Sequence, residues 1–131
     1  MAVDELRKSP MMSHLLDALQ SGRDIGHYGR LTFAMVARHF MDKDELAELL
    51  LRGGAIDEGQ AKALVQQVEE RDYSPPRRER ILEWQAKQDF PICPDPDDPN
   101  ACNVYQELDL PETVSAQIQE FREQQFGAEE S

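Results

Sequence analysis

Three groups of side chains in this 131-residue chain have types and spacings that could do chemistry. The first lies in DIGHYGRLTFAMVARHF, residues 24–40, which gathers His27, Tyr28, Arg30, Arg38 and His39 in a chain of formal charge -12. His27 and Arg30 stand three apart at the start of an expected helix, where free backbone N–H groups and the positive end of the dipole favour an anion. Arginine adds a planar fork that matches phosphate oxygens. The plainer alternative is that Arg30 pairs with one of the 26 acidic residues and His27 makes a loop hydrogen bond to backbone.

The second group is Arg77, Arg78 and Arg80, also at an expected helix start. Cations there are mildly unfavourable unless an acid or a ligand matches them, and a solvated face is the alternative. The third is Cys93 and Cys102. They could supply half of a zinc or iron–sulfur site, or act as small hydrophobes in a proline-stiffened flap. Zinc would need two more donors, and the three histidines lie far off with no ligand spacing. A cytosolic pair is more often reduced, metal-bound or buried than disulfide-bonded. Neither zinc nor an iron–sulfur cluster is expected. There is no phosphate-cradling glycine loop, no nucleophile elbow, no HExxH and no nucleophile with a recognisable base, so the chain reads as a non-enzyme.

The elements that must position these groups are helical. Ser9 before Pro10 is a cap followed by a first-turn proline, and Met11, Met12, Leu15, Leu16 and Leu19 follow at helical spacing to a stop at Gly22. Gly26 and Gly29 bracket His27 and Tyr28 in an expected loop. A second helix, with Leu31, Phe33, Ala34, Val36, Ala37 and Phe40, is apolar nearly all round and should be the buried centre. Asp42 with Glu45 opens a third helix that ends at Gly53-Gly54, and Asp57 with Gln60 opens a fourth that ends near Tyr73. YSPP makes a stiff corner, and Pro76 serves as the first helical residue of PRRERILEWQAK. Residues 89–111 hold five of the eight prolines and form a loop too long for a simple connector. Pro111 opens a last amphipathic helix through Val114, Ile118, Phe121 and Phe126.

No period-2 strand pattern appears, so the expectation is an all-α, compact bundle of about six helices with a long Pro-rich loop near the C-terminus. One domain spans residues 1–131, with 1–8 and 127–131 frayed. No apolar run reaches ~18 residues and no basic-then-apolar leader opens the chain, so the reading is cytoplasmic, without membrane contact. The net charge repels phosphate backbones at long range, so any anion site must be local.

Taken in order, SPMM, HYGR, LTFAMVARHFMDKDELAELL, YSPPRR and CPDPDDPNAC make the chain, over roughly residues 9–108, resemble the C-terminal domain of the large subunit of archaeal and eukaryotic primases. That family opens on a proline-cysteine pair, continues with an H-x-G-R stretch, a helical pair and a Y-x-P-P turn into a second cysteine, and ends on a loop with two more. Here Met11 or Met12 stands at the first cysteine position and Arg77 or Arg78 near the second, so the family's four-cysteine cluster cannot form. An arginine beside the vacated cavity needs an acid, and Asp95, Asp97 or Asp98 could supply it.

The resemblance implies a cluster-free accessory subunit in DNA replication. It would assist a separate primase-polymerase catalytic protein by binding template, an RNA/DNA junction or the initiating nucleotide. His27 and Arg30 would be phosphate contacts, with Arg38 as a further candidate and Arg77 and Arg78 as nucleic-acid contacts beside them. Two other readings stand beside it: an acidic helical adaptor that binds a partner protein and no longer binds nucleic acid, and a metal module that completes Cys93 and Cys102 with ligands from distant histidines or a second chain.

Overall fold

The computed structural model describes residues 2–71, 76, 78–94, 97 and 108. Six helices and no strand occur among the described residues: α1 (Ala2–Leu6), α2 (Pro10–Gln20), α3 (Gly26–Ala37), α4 (Lys43–Arg52), α5 (Glu58–Glu70) and α6 (Arg78–Gln85). The expected all-α bundle is what forms. The last amphipathic helix and most of the proline-rich loop lie outside the described residues, as do residues 127–131.

Local caps explain where several helices begin. The Ser9 hydroxyl accepts from the Met12 N–H at 3.3 Å with Pro10 in the first turn, so one free donor is satisfied and the first φ is already helical. Asp42 accepts from the Glu45 N–H at 2.8 Å and opens α4. At α5 the Asp57 carboxylate takes the Gln60 N–H at 2.8 Å while the Gln60 side chain takes the Asp57 N–H at 3.0 Å. That reciprocal pair satisfies two donors at once. Asp57→Ala should therefore cost about 1 kcal/mol in thermal denaturation and Asp57→Asn much less; equal losses for the two variants would remove the cap as the cause.

Central α3 packs against α2, α4, α5 and α6. Its Phe33, Ala34, Val36 and Ala37 are fully buried, in keeping with its apolar circumference. Met11, Met12, Leu15, Leu16 and Leu19 of α2 and Leu46 and Leu50 of α4 close on it. At Gly53, just after α4, a Cβ would stand 2.9 Å from Leu19 Cδ2 and 3.2 Å from the Arg23 carbonyl oxygen, so a side chain there would force α2 and the turn after it to shift.

Three features depart from the sequence reading. Residues 2–8, expected to fray, form α1 and a clamp. Leu6 is fully buried, and the Arg7 guanidinium donates to Ser13 Oγ at 3.1 Å, Asp17 Oδ1 at 2.8 Å and Gln20 Oε1 at 3.2 Å. Those acceptors recur at helical spacing on one face of α2, which no local pattern in residues 1–8 announces. Second, α3 begins at Gly26 rather than after Gly29, so His27 and Tyr28 sit in its first turn. Third, α5 ends at Glu70, short of Tyr73, and α6 starts at Arg78 with Pro76 buried ahead of it.

Candidate functional site at the start of α3

The turn before α3 is built around Asp24 and Gly26. Gly26 has φ +78°, a left-handed conformation that suits glycine and costs other residues. The N-cap residue Ile25 has no side-chain acceptor to offer. Two other groups take that role. Asp24 Oδ1 accepts from the Gly26 N–H at 2.8 Å, and Gln88, distant in sequence, accepts from the Tyr28 N–H through Oε1 at 3.0 Å. The same Gln88 amide donates through Nε2 to the Ile25 carbonyl at 2.8 Å and to the Phe90 carbonyl at 3.0 Å. One side chain thus fastens the start of α3 to the segment after α6.

Arg30 closes the arrangement. Its Nη1 donates to Asp24 Oδ1 at 2.9 Å, with the Arg30 side chain 14% exposed and that of Asp24 65% exposed. A single carboxylate oxygen therefore receives a helix-terminal N–H and a guanidinium. The plainer expectation, that Arg30 pairs with an acid of the chain, describes this contact. His27 is exposed, and its ring meets Tyr28 edge-on at 5.4 Å. Tyr28 in turn stacks on Trp84 of α6, centroids 5.6 Å apart and planes 22° apart.

His27 and Arg30 both lie near the start of α3, three residues apart, and the other candidates lie elsewhere. Arg38 follows α3 at its C-terminal end, about 12 Å further along the axis, where a cation suits the dipole. Its side chain is 8% exposed and its Nη1 lies 3.8 Å from Glu69 Oε2 of α5. Glu69 also lines an open groove of about 310 Å³ between α4 and α5, together with Lys43, Asp44, Ala47, Lys62 and Val65. Its hydrogen bond to Glu58 holds the Lys62 ammonium above the usual lysine range. Arg77 lies outside the described residues, and for Arg78 the backbone at the start of α6 is described. Arg80 is exposed on α6.

Cys93 corrects the expectation for the cysteines. It is 1% exposed and disulfide-bonded, not a free thiol or a metal ligand, and the chain's only other cysteine is Cys102, which lies outside the described residues. Its segment is held from several sides. The Cys93 N–H donates to Gln85 Oε1 at 2.7 Å. His14 Nε2 lies 2.8 Å from the Pro91 carbonyl oxygen, so that nitrogen carries the proton. Phe90 stacks on the His14 ring at 5.1 Å and carries the Arg23 guanidinium 5.3 Å from its centroid. With its sulfur already bonded, Cys93 does not fit as a ligand of an iron–sulfur cluster. Among the described residues no three His, Cys, Asp or Glu side chains converge on a metal position.

Sequence reasoning missed Asp24, Gln88 and the Tyr28–Trp84 stack. The Asp-x-Gly spacing of Asp24 and Gly26 carried a local signal for the first, since aspartate commonly bonds the backbone N–H two residues on. Nothing near His27 points to Gln88 or Trp84. Compared with known proteins, the chain matches no family model, no curated protein and no solved structure.

Proposed function

We propose that this chain is a cluster-free accessory domain, similar to that of the primase large subunit, that assists a separate primase-polymerase by binding the phosphate end of template or initiating nucleotide. It performs no chemistry itself in this reading. One observation carries it: at the start of α3, Asp24 Oδ1 sits between the Gly26 N–H and the Arg30 guanidinium, at 2.8 and 2.9 Å. A phosphate oxygen in that place would meet the same two donors, with Arg30 adding a charge-assisted fork.

Asp24 is the internal stand-in for that anion. Its carboxylate is 65% exposed, and ion pairs of such exposure contribute about 0–1 kcal/mol, so moving it aside costs little. The exposed His27, three residues before Arg30, meets Tyr28, which stacks on Trp84 with both rings partly buried; the accessible part of these rings would be the kind of surface on which bases stack. The reading places the chain in the cytoplasm. There the 1% exposure of Cys93 would hinder thiolate attack on its disulfide.

The test is a fluorescence anisotropy titration of a template annealed to a 5′-triphosphate primer, with a 5′-hydroxyl primer as control. Arg30→Ala should weaken triphosphate-dependent binding about tenfold or more, because it removes a charged hydrogen bond. Asp24→Asn should strengthen it several-fold, by removing the competing carboxylate. Equal affinity for the two primer ends would sink the phosphate reading.

The second reading, an acidic adaptor for a basic partner protein, draws on the charge of α4 and α5. Between residues 42 and 70 the chain carries eight carboxylates against three cations. Salt-sensitive co-purification with a single basic protein, unaffected by Arg30→Ala, would favour it.

A further inference from the structure

The segment after α6 is fastened at two points of different kinds. At Gln88 it holds the start of α3, accepting from the Tyr28 N–H at 3.0 Å and donating to the Ile25 carbonyl at 2.8 Å. Further along, at Cys93, it is tied covalently by a disulfide. Within one chain the second sulfur is that of Cys102, the only other cysteine, so the bond closes a short ring.

Between the end of α6 at Gln85 and Cys93 no helix or strand forms, so no backbone ladder keeps this strap in place. Contacts from outside do so. His14 Nε2 meets the Pro91 carbonyl at 2.8 Å, Gln85 Oε1 accepts from the Cys93 N–H at 2.7 Å, Phe90 stacks on His14, and Ile92 is fully buried. All of these are noncovalent, and segments held in this way open locally well below the cost of global unfolding. The disulfide limits that opening, because a closed ring removes conformations from the open chain. We propose that it is a redox latch on the start of α3: with the bond intact Gln88 stays on the Tyr28 N–H, and its reduction lets the strap and the first turn of α3 open together.

The reductant is a dithiol. Cys93 is 1% exposed, which directs attack to the other end of the bond. One dithiol sulfur, as thiolate, bonds to the Cys102 sulfur, and the Cys93 sulfur leaves with the electron pair and takes up a proton. The second dithiol sulfur then closes on the first, and the Cys102 sulfur leaves as the other thiol. Two electrons and two protons pass from the dithiol to the protein.

A consequence for binding rests on the phosphate reading above: Arg30 lies on the opening turns of α3 that the latch holds, so reduction weakens its site. The latch itself needs no ligand, and its failure is thereby separate from failure of that reading.

The experiment is amide hydrogen exchange of the full chain, followed by NMR, in the oxidised state and after dithiothreitol, with Cys102→Ser as an equivalent that needs no reductant. The Tyr28 N–H should exchange about tenfold faster or more with the bond open, and the Gln60 N–H, capped inside α5, should change much less. In Gln88→Ala the Tyr28 N–H should exchange fast in both states. Unchanged Tyr28 protection overturns the proposal. So does an equal loss at Tyr28 and Gln60, because that would be a general loss of stability. In the primer titration, triphosphate-dependent affinity should fall several-fold on reduction. Absence of binding in both states defeats the phosphate reading and leaves exchange to decide the latch, whereas equal binding in both states overturns the control of the Arg30 site.

Discussion

Replacing Phe33 with alanine will destabilise the fold by about 3–5 kcal/mol, the largest loss expected from any single change considered for this chain. Phe33 is fully buried and among the largest of the fully buried side chains. It lies on α3, the helix that contacts α2, α4, α5 and α6, so the cavity would open where four packing partners meet. A well-packed interior relaxes only partly around a deletion, and the loss combines the transfer of the ring with the void left behind. Against a total of about 5–15 kcal/mol, such a loss leaves a marginal protein. Urea denaturation is the measurement. A drop below 1 kcal/mol would mean that α3 is not the centre of the core.

Gly26→Ala carries the second largest expected effect, about 3 kcal/mol, from strain and lost hydrogen bonds together. At φ +78° an alanine is strained before it meets any neighbour. The added Cβ would then stand 2.5 Å from Gln88 Oε1 and 2.7 Å from Gln88 Cδ. The glutamine end is flexible and can swing away, but only by giving up its bonds to the Tyr28 N–H, the Ile25 carbonyl and the Phe90 carbonyl. Partly replaced by bonds to water, the three together account for about 1–2 kcal/mol of the total, and the strain for the rest. Measuring Gly26→Ala in a Gln88→Ala background separates the two parts, since the strain should remain and the hydrogen-bond share should vanish. If Gly26→Ala costs the same in both backgrounds, Gln88 is not what the left-handed glycine makes room for.

Both predictions concern how α3 is held, and the phosphate reading depends on that holding. Arg30 can meet a backbone donor at one anionic oxygen only because the first turn of α3 is fixed from outside. Asp24 does part of this locally, and Gln88 does the rest from beyond α6. Asp24 accepts from both the Gly26 N–H and Arg30, so that cation is paired within the chain.

The sequence by itself determined the helices whose signals are local. Ser9-Pro10, Asp42 with Glu45 and Asp57 with Gln60 are capping patterns a few residues long, and the structure uses each one. The apolar residues of α2, α4 and α5 recur at helical spacing, and that alone assigns their buried faces. The central position of α3 followed in the same way from its lack of a polar face. The Asp-x-Gly signal that pairs Asp24 with Gly26 is equally local, although the sequence reading passed over it, and the abundance of acids made an internal partner for Arg30 the plain expectation.

Only the tertiary structure decided the rest. Whether His27 and Tyr28 lie in a loop or in the first turn of α3 depended on Gln88, whose amide supplies the cap that Ile25 lacks. Residues 2–8 are ordered because three acceptors on α2 line up under Arg7, an arrangement that exists only once both helices are placed. Arg38, near His27 in sequence, went to the far end of α3 and to Glu69, while Trp84, remote in sequence, came to Tyr28. Cys93 was open between thiol, ligand and disulfide until folding buried its segment against His14, Arg23 and Gln85. The common reason is range: capping and periodicity act over one or two helical turns, whereas each of these outcomes depends on a partner that chain folding alone brings within a few ångströms.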